Sequence, residues 1–177
     1  LDKDPVSSTY GCFDRNYWKY MVRDYANARL QEAIYTLALA YSIDNNINPY
    51  YHDERLLTYV FAGIDFWKSL QHKNGSFDEY YANEKSHVAT AFSSLAITCT
   101  YNLLCPAHQK RLNTVLPVLE KAALWLRKHN DSLVINHDAA CLPFYYLLYQ
   151  LTGHEKYLSW REEKISLVLN HFDQEGG

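Results

Sequence analysis

The chain has 177 residues, 48% of them hydrophobic, enough to bury an ordinary core as one domain or part of a larger one. A net charge of -3 and a pI near 6.2 exclude the basic surplus of a nucleic-acid binder, so no nucleic-acid partner is expected. No uncharged apolar run approaches the roughly 20 residues of a membrane span, and no membrane partner is expected either.

Residues 1–14 lack periodicity and read as an irregular N-terminal arm; residues 15–177 read as one helical domain or a fragment of one. Asn27 or Asp24 can cap a helix whose body, Ala33 to Tyr41, carries no charge, and a helix apolar all round is expected to be buried on all sides. Asp44-Asn45-Asn46-Ile47-Asn48-Pro49 breaks it. The next helix is amphipathic, with Leu56, Val60, Ile64, Trp67 and Leu70 on one side and Arg55, Asp65 and Lys68 on the other, and Asn74-Gly75 closes it. A second charge-free helix runs from Val88 to about Leu104.

Pro106 opens a second amphipathic segment, whose stripe Leu112, Val115, Leu116, Leu119, Ala122, Ala123 and Leu126 stands opposite Glu120, Lys121, Arg127 and Lys128. His129-Asn130-Asp131-Ser132 ends it, a third charge-free run spans Ala139 to Leu151, and Gly153 closes that run. A last amphipathic helix places Leu158, Ile165, Val168, Leu169 and Phe172 on one face.

The alternation is an internal repeat. Tyr25-Ala26-Asn27 through Ala33 matches Tyr81-Ala82-Asn83 through Ala89, and Asn136-His137-Asp138-Ala139 aligns with Ser86-His87-Val88-Ala89, so Gln31, His87 and His137 occupy one position in three successive units. Recurrence about every 50–57 residues is the signature of stacked helical hairpins. The fold expected is all-α: about three and a half hairpins forming an incomplete α/α toroid, charge-free helices inside and amphipathic ones outside. Its last residues resemble the turn before another inner helix, so a further C-terminal domain or self-association is expected to complete the ring.

In such a ring the polar clusters that precede the inner helices meet on one rim. The first contributes Arg23, Asn27, Arg29 and Gln31, the second Tyr80, Tyr81, Asn83, Glu84 and His87, and the third Asn136 and His137. A groove lined by these groups, in a chain with 16 tyrosines, suits a hydroxyl-rich oligosaccharide or polysaccharide, because an aromatic face packs on sugar C–H groups.

Gln71-x-x-Asn74-Gly75-Ser76-Phe77 resembles the Gln-x-x-Asp-Gly-Ser-Trp repeat of terpenoid-cyclase and prenyltransferase toroids, with Asn and Phe as departures. The longer string Asn74 to Glu79, with Asn83-Glu84, Val88 to Phe92, Phe13 to Trp18 upstream and Asn136-His137 downstream, is similar to bacterial heparinase II/III-like proteins associated with surface polysaccharides. That resemblance implies a polysaccharide lyase-like module that binds an acidic polysaccharide and cleaves it by β-elimination. Asn136 would hydrogen-bond the uronate carboxylate, His137 would take the C5 proton, and Tyr80 or Tyr81 would protonate the leaving oxygen. Arg23, Asn27, Arg29, Gln31, Asn83, Glu84 and His87 would line the substrate groove.

Two alternatives stay open: a non-catalytic helical-repeat module that binds glycan or protein through the same rim, and a glycoside hydrolase pairing Asp78 or Glu79 with a distant carboxylate such as Asp138. Asn136 can also be a plain helix cap, and His87 a satisfied rim or core histidine. His137 and Cys141 lie one helical turn apart, but a zinc site needs three or four ligands, so neither a metal nor another cofactor is expected. Cys12, Cys99, Cys105 and Cys141 form no C-x-x-C pair and read as free thiols, which leans toward a reducing, cytoplasmic compartment; an upstream signal ahead of Leu1 would instead direct the chain to the periplasm.

Overall fold

The computed structural model of the protein describes residues 1–14, 25–105, 107–131 and 134–171. Arg23 and Asp24 lie outside the described residues, as do Pro106 and Phe172. The arm 1–14 has no helix or strand but is ordered by Asp2, whose carboxylate accepts the Ser7 and Thr9 hydroxyls at 2.6 Å each and whose backbone pairs with Gly11 and Cys12.

A 3-10 turn, Ala28–Glu32, leads into helix α1, Ala33–Ser42; its cap is Asn27, whose side chain accepts the Arg29 N–H at 2.8 Å. The chain continues through α2 (Glu54–Ser69), α3 (His87–Leu104), α4 (Gln109–Leu112), α5 (Leu116–Lys128), α6 (Ile135–Ala139), α7 (Cys141–Thr152) and α8 (Lys156–Leu169). Among the described residues the structure is helical without strands; one isolated antiparallel bridge joins Phe77 to Ser86. No described helix is long and apolar enough to cross a membrane.

The charge-free helices α1, α3 and α7 lie side by side in that order, and each packs against the amphipathic helix that follows it: α2, α5 and α8 respectively. Position in this row decides burial. The middle helix, α3, has a neighbour on both sides and buries ten of its eighteen residues, whereas α1 buries only Ile34, Ala38 and Tyr41 and α7 leaves Pro143, Tyr146 and Gln150 exposed. Burial on all sides, expected from the charge-free runs, therefore fails at both ends of the row, where an inner helix has one other inner helix beside it among the described residues. Two expectations for the outer helices also change. The segment expected to be one helix from Pro106 to Lys128 is split at Asn113–Val115, because Pro117, in the first turn of α5, cannot donate an N–H to a helix continued from α4. In α8 the buried stripe is Tyr157, Lys164 and Val168, while Leu169 is 61% exposed.

The turn Gln71–Phe77 bolts the hairpins together. Gln71 Nε2 donates to Gly75 O at 3.1 Å and across to Val118 O of α5 at 2.8 Å; Asn74 Oδ1 accepts the Ser76 hydroxyl and N–H; Phe77 stacks on Trp67 at 4.7 Å; and Trp67 Nε1 donates to Ser93 of α3 at 2.9 Å. Gly75 sits at φ 102°, and a Cβ there would lie 2.3 Å from the Lys121 carbonyl oxygen. Gly75→Ala therefore combines left-handed strain with a backbone clash, and should lower unfolding free energy by roughly 2–4 kcal/mol in a denaturant titration. A change within about 0.5 kcal/mol, the size of a neutral surface substitution, would show that the turn carries no such constraint.

Candidate functional site

The loop 78–86, which precedes α3, is locked by two of its own carboxylates. Asp78 accepts the N–H groups of Asn83 and Lys85 at 2.8 and 2.9 Å, and both residues hold left-handed backbone, at φ 62° and 55°. One oxygen of Glu84 accepts the N–H groups of Glu79 (3.0 Å), Tyr80 (2.8 Å) and Tyr81 (3.4 Å). The Tyr25 hydroxyl donates to the Tyr80 carbonyl and ties the loop to the strand of chain before the 3-10 turn. Strained backbone of this kind persists only where its surroundings over-determine it. Here the result is a fixed platform on which the Tyr80 and Tyr81 side chains stand 62% and 72% exposed, with no hydrogen-bond partner for either phenol among the described residues.

Three successive units meet beside this loop. The Arg29 guanidinium, from the 3-10 turn, lies 4.6 Å over the Phe92 ring of α3, and Phe92 meets the His137 ring of α6 edge-on at 6.3 Å. Arg29 Nε is held by Glu32 at 2.8 Å, so its terminal nitrogens remain available. His137 Nδ1 lies 2.7 Å from Asp131 Oδ2, while His137 Nε2 has no partner among the described residues and is not closed off from solvent. Asn136 is exposed; the position before α6 is Val134, so Asn136 is not the cap, and its amide has no partner among the described residues.

Behind this surface lies a buried ionic hub centred on Asp138, which is fully inaccessible to solvent. Lys164 Nζ bonds Asp138 Oδ1 and also Asn130 Oδ1 at 2.6 Å and the His129 carbonyl at 3.3 Å; Asp138 Oδ2 accepts the Asp131 N–H at 3.0 Å. His87 Nε2 comes within 3.1 Å of Asp138 Oδ1 but is not aligned for a hydrogen bond, and both of its ring nitrogens are buried. Burial is the largest single influence on the Asp138 carboxyl and would raise its pKa; contacts with His87 and Lys164 together outweigh it and hold the group below its ordinary 3.8.

His87, Asp138 and Cys141 each offer one ligand atom, all within 4.8 Å of one another. The Lys164 ammonium already neutralises the carboxylate from inside this cluster, and burial pushes the Cys141 thiol up to about 12, so it stays protonated. This is the chemistry of a charge-balanced core rather than of an open cation site.

The expected rim residues thus divide. Arg29, Asn136, His137, Tyr80 and Tyr81 keep polar atoms at the surface. Asn27 is buried as the cap, Gln31 is fully buried with its amide spent on Phe13 N, Gly11 O and Gly63 O, and His87 is enclosed beside Asp138. Asn83 and Glu84 are exposed too, although one Glu84 oxygen accepts from the N–H groups of its own loop and the Asn83 backbone N–H donates to Asp78. Repeat equivalence put Gln31, His87 and His137 at one position, but only His137 presents a ring nitrogen outward. Lys164 went unremarked in the sequence, although its place on the stripe of Tyr157 and Val168 is a signal in its spacing. A separate cavity of about 650 Å³, lined by Phe13, Leu37, Tyr50, Arg55 and Tyr59 among others, lies between the arm, α1 and α2. Comparison of the chain with protein-family models, with curated proteins and with solved structures gives no match, and the assignment of a role rests on this geometry.

Proposed function

We propose that the row of hairpins is an arc of an α/α toroid, a heparinase II/III-like module that binds an acidic polysaccharide along its rim and cleaves it by β-elimination. The observation that supports this reading is the line Arg29–Phe92–His137, in which a guanidinium, an aromatic face and an outward imidazole from three units stand together. A uronate ring packs on Phe92, its carboxylate accepts from the Arg29 terminal nitrogens and the Asn136 amide, and that neutralisation makes the C5 proton removable. His137 Nε2 takes the proton, the electron pair forms the C4–C5 double bond, the C4–O bond breaks, and Tyr80 or Tyr81 protonates the departing oxygen.

Incubation with a panel of uronic-acid polysaccharides, followed by absorbance of the new double bond, tests the reaction; silence across the panel removes the lyase reading. Arg29→Ala should raise KM or Kd for uronate oligosaccharides by roughly tenfold or more, the worth of a charge-assisted contact, and leave neutral oligosaccharides unaffected. Equal loss for both classes would remove the carboxylate from the account. A non-catalytic glycan-binding module is the second reading, favoured by the exposed Tyr80 and Tyr81 on a rigid loop; it gives binding without the chromophore. The hydrolase reading loses support, since Asp78, Glu79 and Asp138 are all buried and engaged.

A further inference from the structure

We infer that Asp131 is a positioning residue for His137, fixing which ring nitrogen carries the proton and aiming the other at the groove. The inference rests on the reading of His137 as the base. A carboxylate only accepts, so the 2.7 Å contact between Asp131 Oδ2 and His137 Nδ1 requires the proton on Nδ1 and leaves the Nε2 lone pair outward. Among the described residues Asp131 is itself held at three points: its N–H donates to Asp138 Oδ2 at 3.0 Å, its Oδ1 accepts the Val134 N–H at 3.2 Å, and its Oδ2 meets the imidazole. Asp138 is anchored in turn by Lys164, which also holds Asn130 and the His129 carbonyl. The segment from His129 to Asp138 is therefore wrapped round a buried ion pair, and Asp131 transmits that fixed frame to the imidazole. The Phe92 ring also meets the imidazole, edge-on at 6.3 Å. No other described acidic group bonds His137, so this orientation depends on a single carboxylate.

Nitrogen-15 NMR of the full chain labelled at histidine tests this without reference to catalysis. In the neutral ring of the unmodified protein, His137 should show the Nδ1–H tautomer; Asp131→Ala should move it to the Nε2–H form that free imidazole side chains prefer, and Asp131→Glu should retain the original signature. If Asp131→Ala does not fold, Asp131→Asn replaces it: with its oxygen kept on the Val134 N–H, its NH2 faces His137 Nδ1 and donates there, so the ring should move to the Nε2–H form. On a cleavable polysaccharide the same loss should lower kcat by roughly tenfold or more with KM little changed, as expected when a base carries its proton on the wrong nitrogen. An unchanged tautomer in the Ala or Asn variant overturns the positioning role even if the chain proves to be a lyase. The expected tautomer in a chain without lyase activity upholds the orientation and overturns only the catalytic reading of His137.

Discussion

Replacing Lys164 with methionine should be among the most damaging single changes in this protein, lowering unfolding free energy by roughly 3–5 kcal/mol, because it strands a fully buried carboxylate. The melting temperature should fall by on the order of 10 °C. The deficit should depend on pH in a way that a simple packing loss does not. In the intact protein the partners of Asp138 outweigh burial and hold its carboxyl below 3.8, so the ionised group stabilises the fold above that pH and the contribution fades as pH falls through the folded-state value. Without Lys164 only His87 and the Asp131 N–H are left to offset burial, so the carboxyl should rise and its ionisation should contribute less to stability as pH rises. Lys164→Met should therefore be most destabilised near neutrality and approach the parent in acid. Adding Asp138→Asn, which removes the stranded charge yet keeps an acceptor for the Asp131 N–H, should recover a large part of the loss. A deficit that is constant from pH 3 to 7, or that the second change does not relieve, would show that the ion pair does not hold the hub.

His137→Ala should reduce β-elimination by about 10²–10⁴-fold, the usual contribution of a general base, while affinity for the polysaccharide stays within a few-fold. The split follows from the proposed roles, in which Arg29, Asn136 and the Phe92 face would supply the binding contacts and the imidazole the proton acceptor. If chromophore production and affinity both persist, His137 is a rim residue held by Asp131 for structural reasons. Release of reducing ends without the chromophore would point to hydrolysis, which the burial of Asp78, Glu79 and Asp138 does not support.

The fold was legible where local chemistry repeats. The turn Asn74-Gly75-Ser76-Phe77 announces itself because a left-handed glycine and an Asn that folds back on Ser76 are sequence-local devices, and the stripe Leu119, Ala122, Ala123 and Leu126 is buried as its spacing requires. The failures have one origin: sequence periodicity reports the environment of a residue only through its near neighbours. A lysine in an amphipathic helix reads as solvent-facing, and Lys164 is buried because its partner, Asp138, lies 26 residues away. Equivalence by repeat placed Gln31 and His87 beside His137 on the rim, but the arm supplies Gly11 and Phe13 to absorb the Gln31 amide, and the segment after α5 brings Asp138 over His87. The convergence of Arg29 and His137 on Phe92, in contrast, follows from stacking units in register.

That convergence is the centre of the account. A titration of the full chain with an acidic oligosaccharide, followed by NMR at the Arg29 Nε–H, the Phe92 ring and the His137 imidazole, measures it directly. The three should shift together along one binding curve, with the Tyr80 and Tyr81 rings responding at the same ligand concentrations. Shifts confined to the cavity near Tyr50 and Arg55, or absent at all three rim residues, would contradict a binding site built from three successive hairpins.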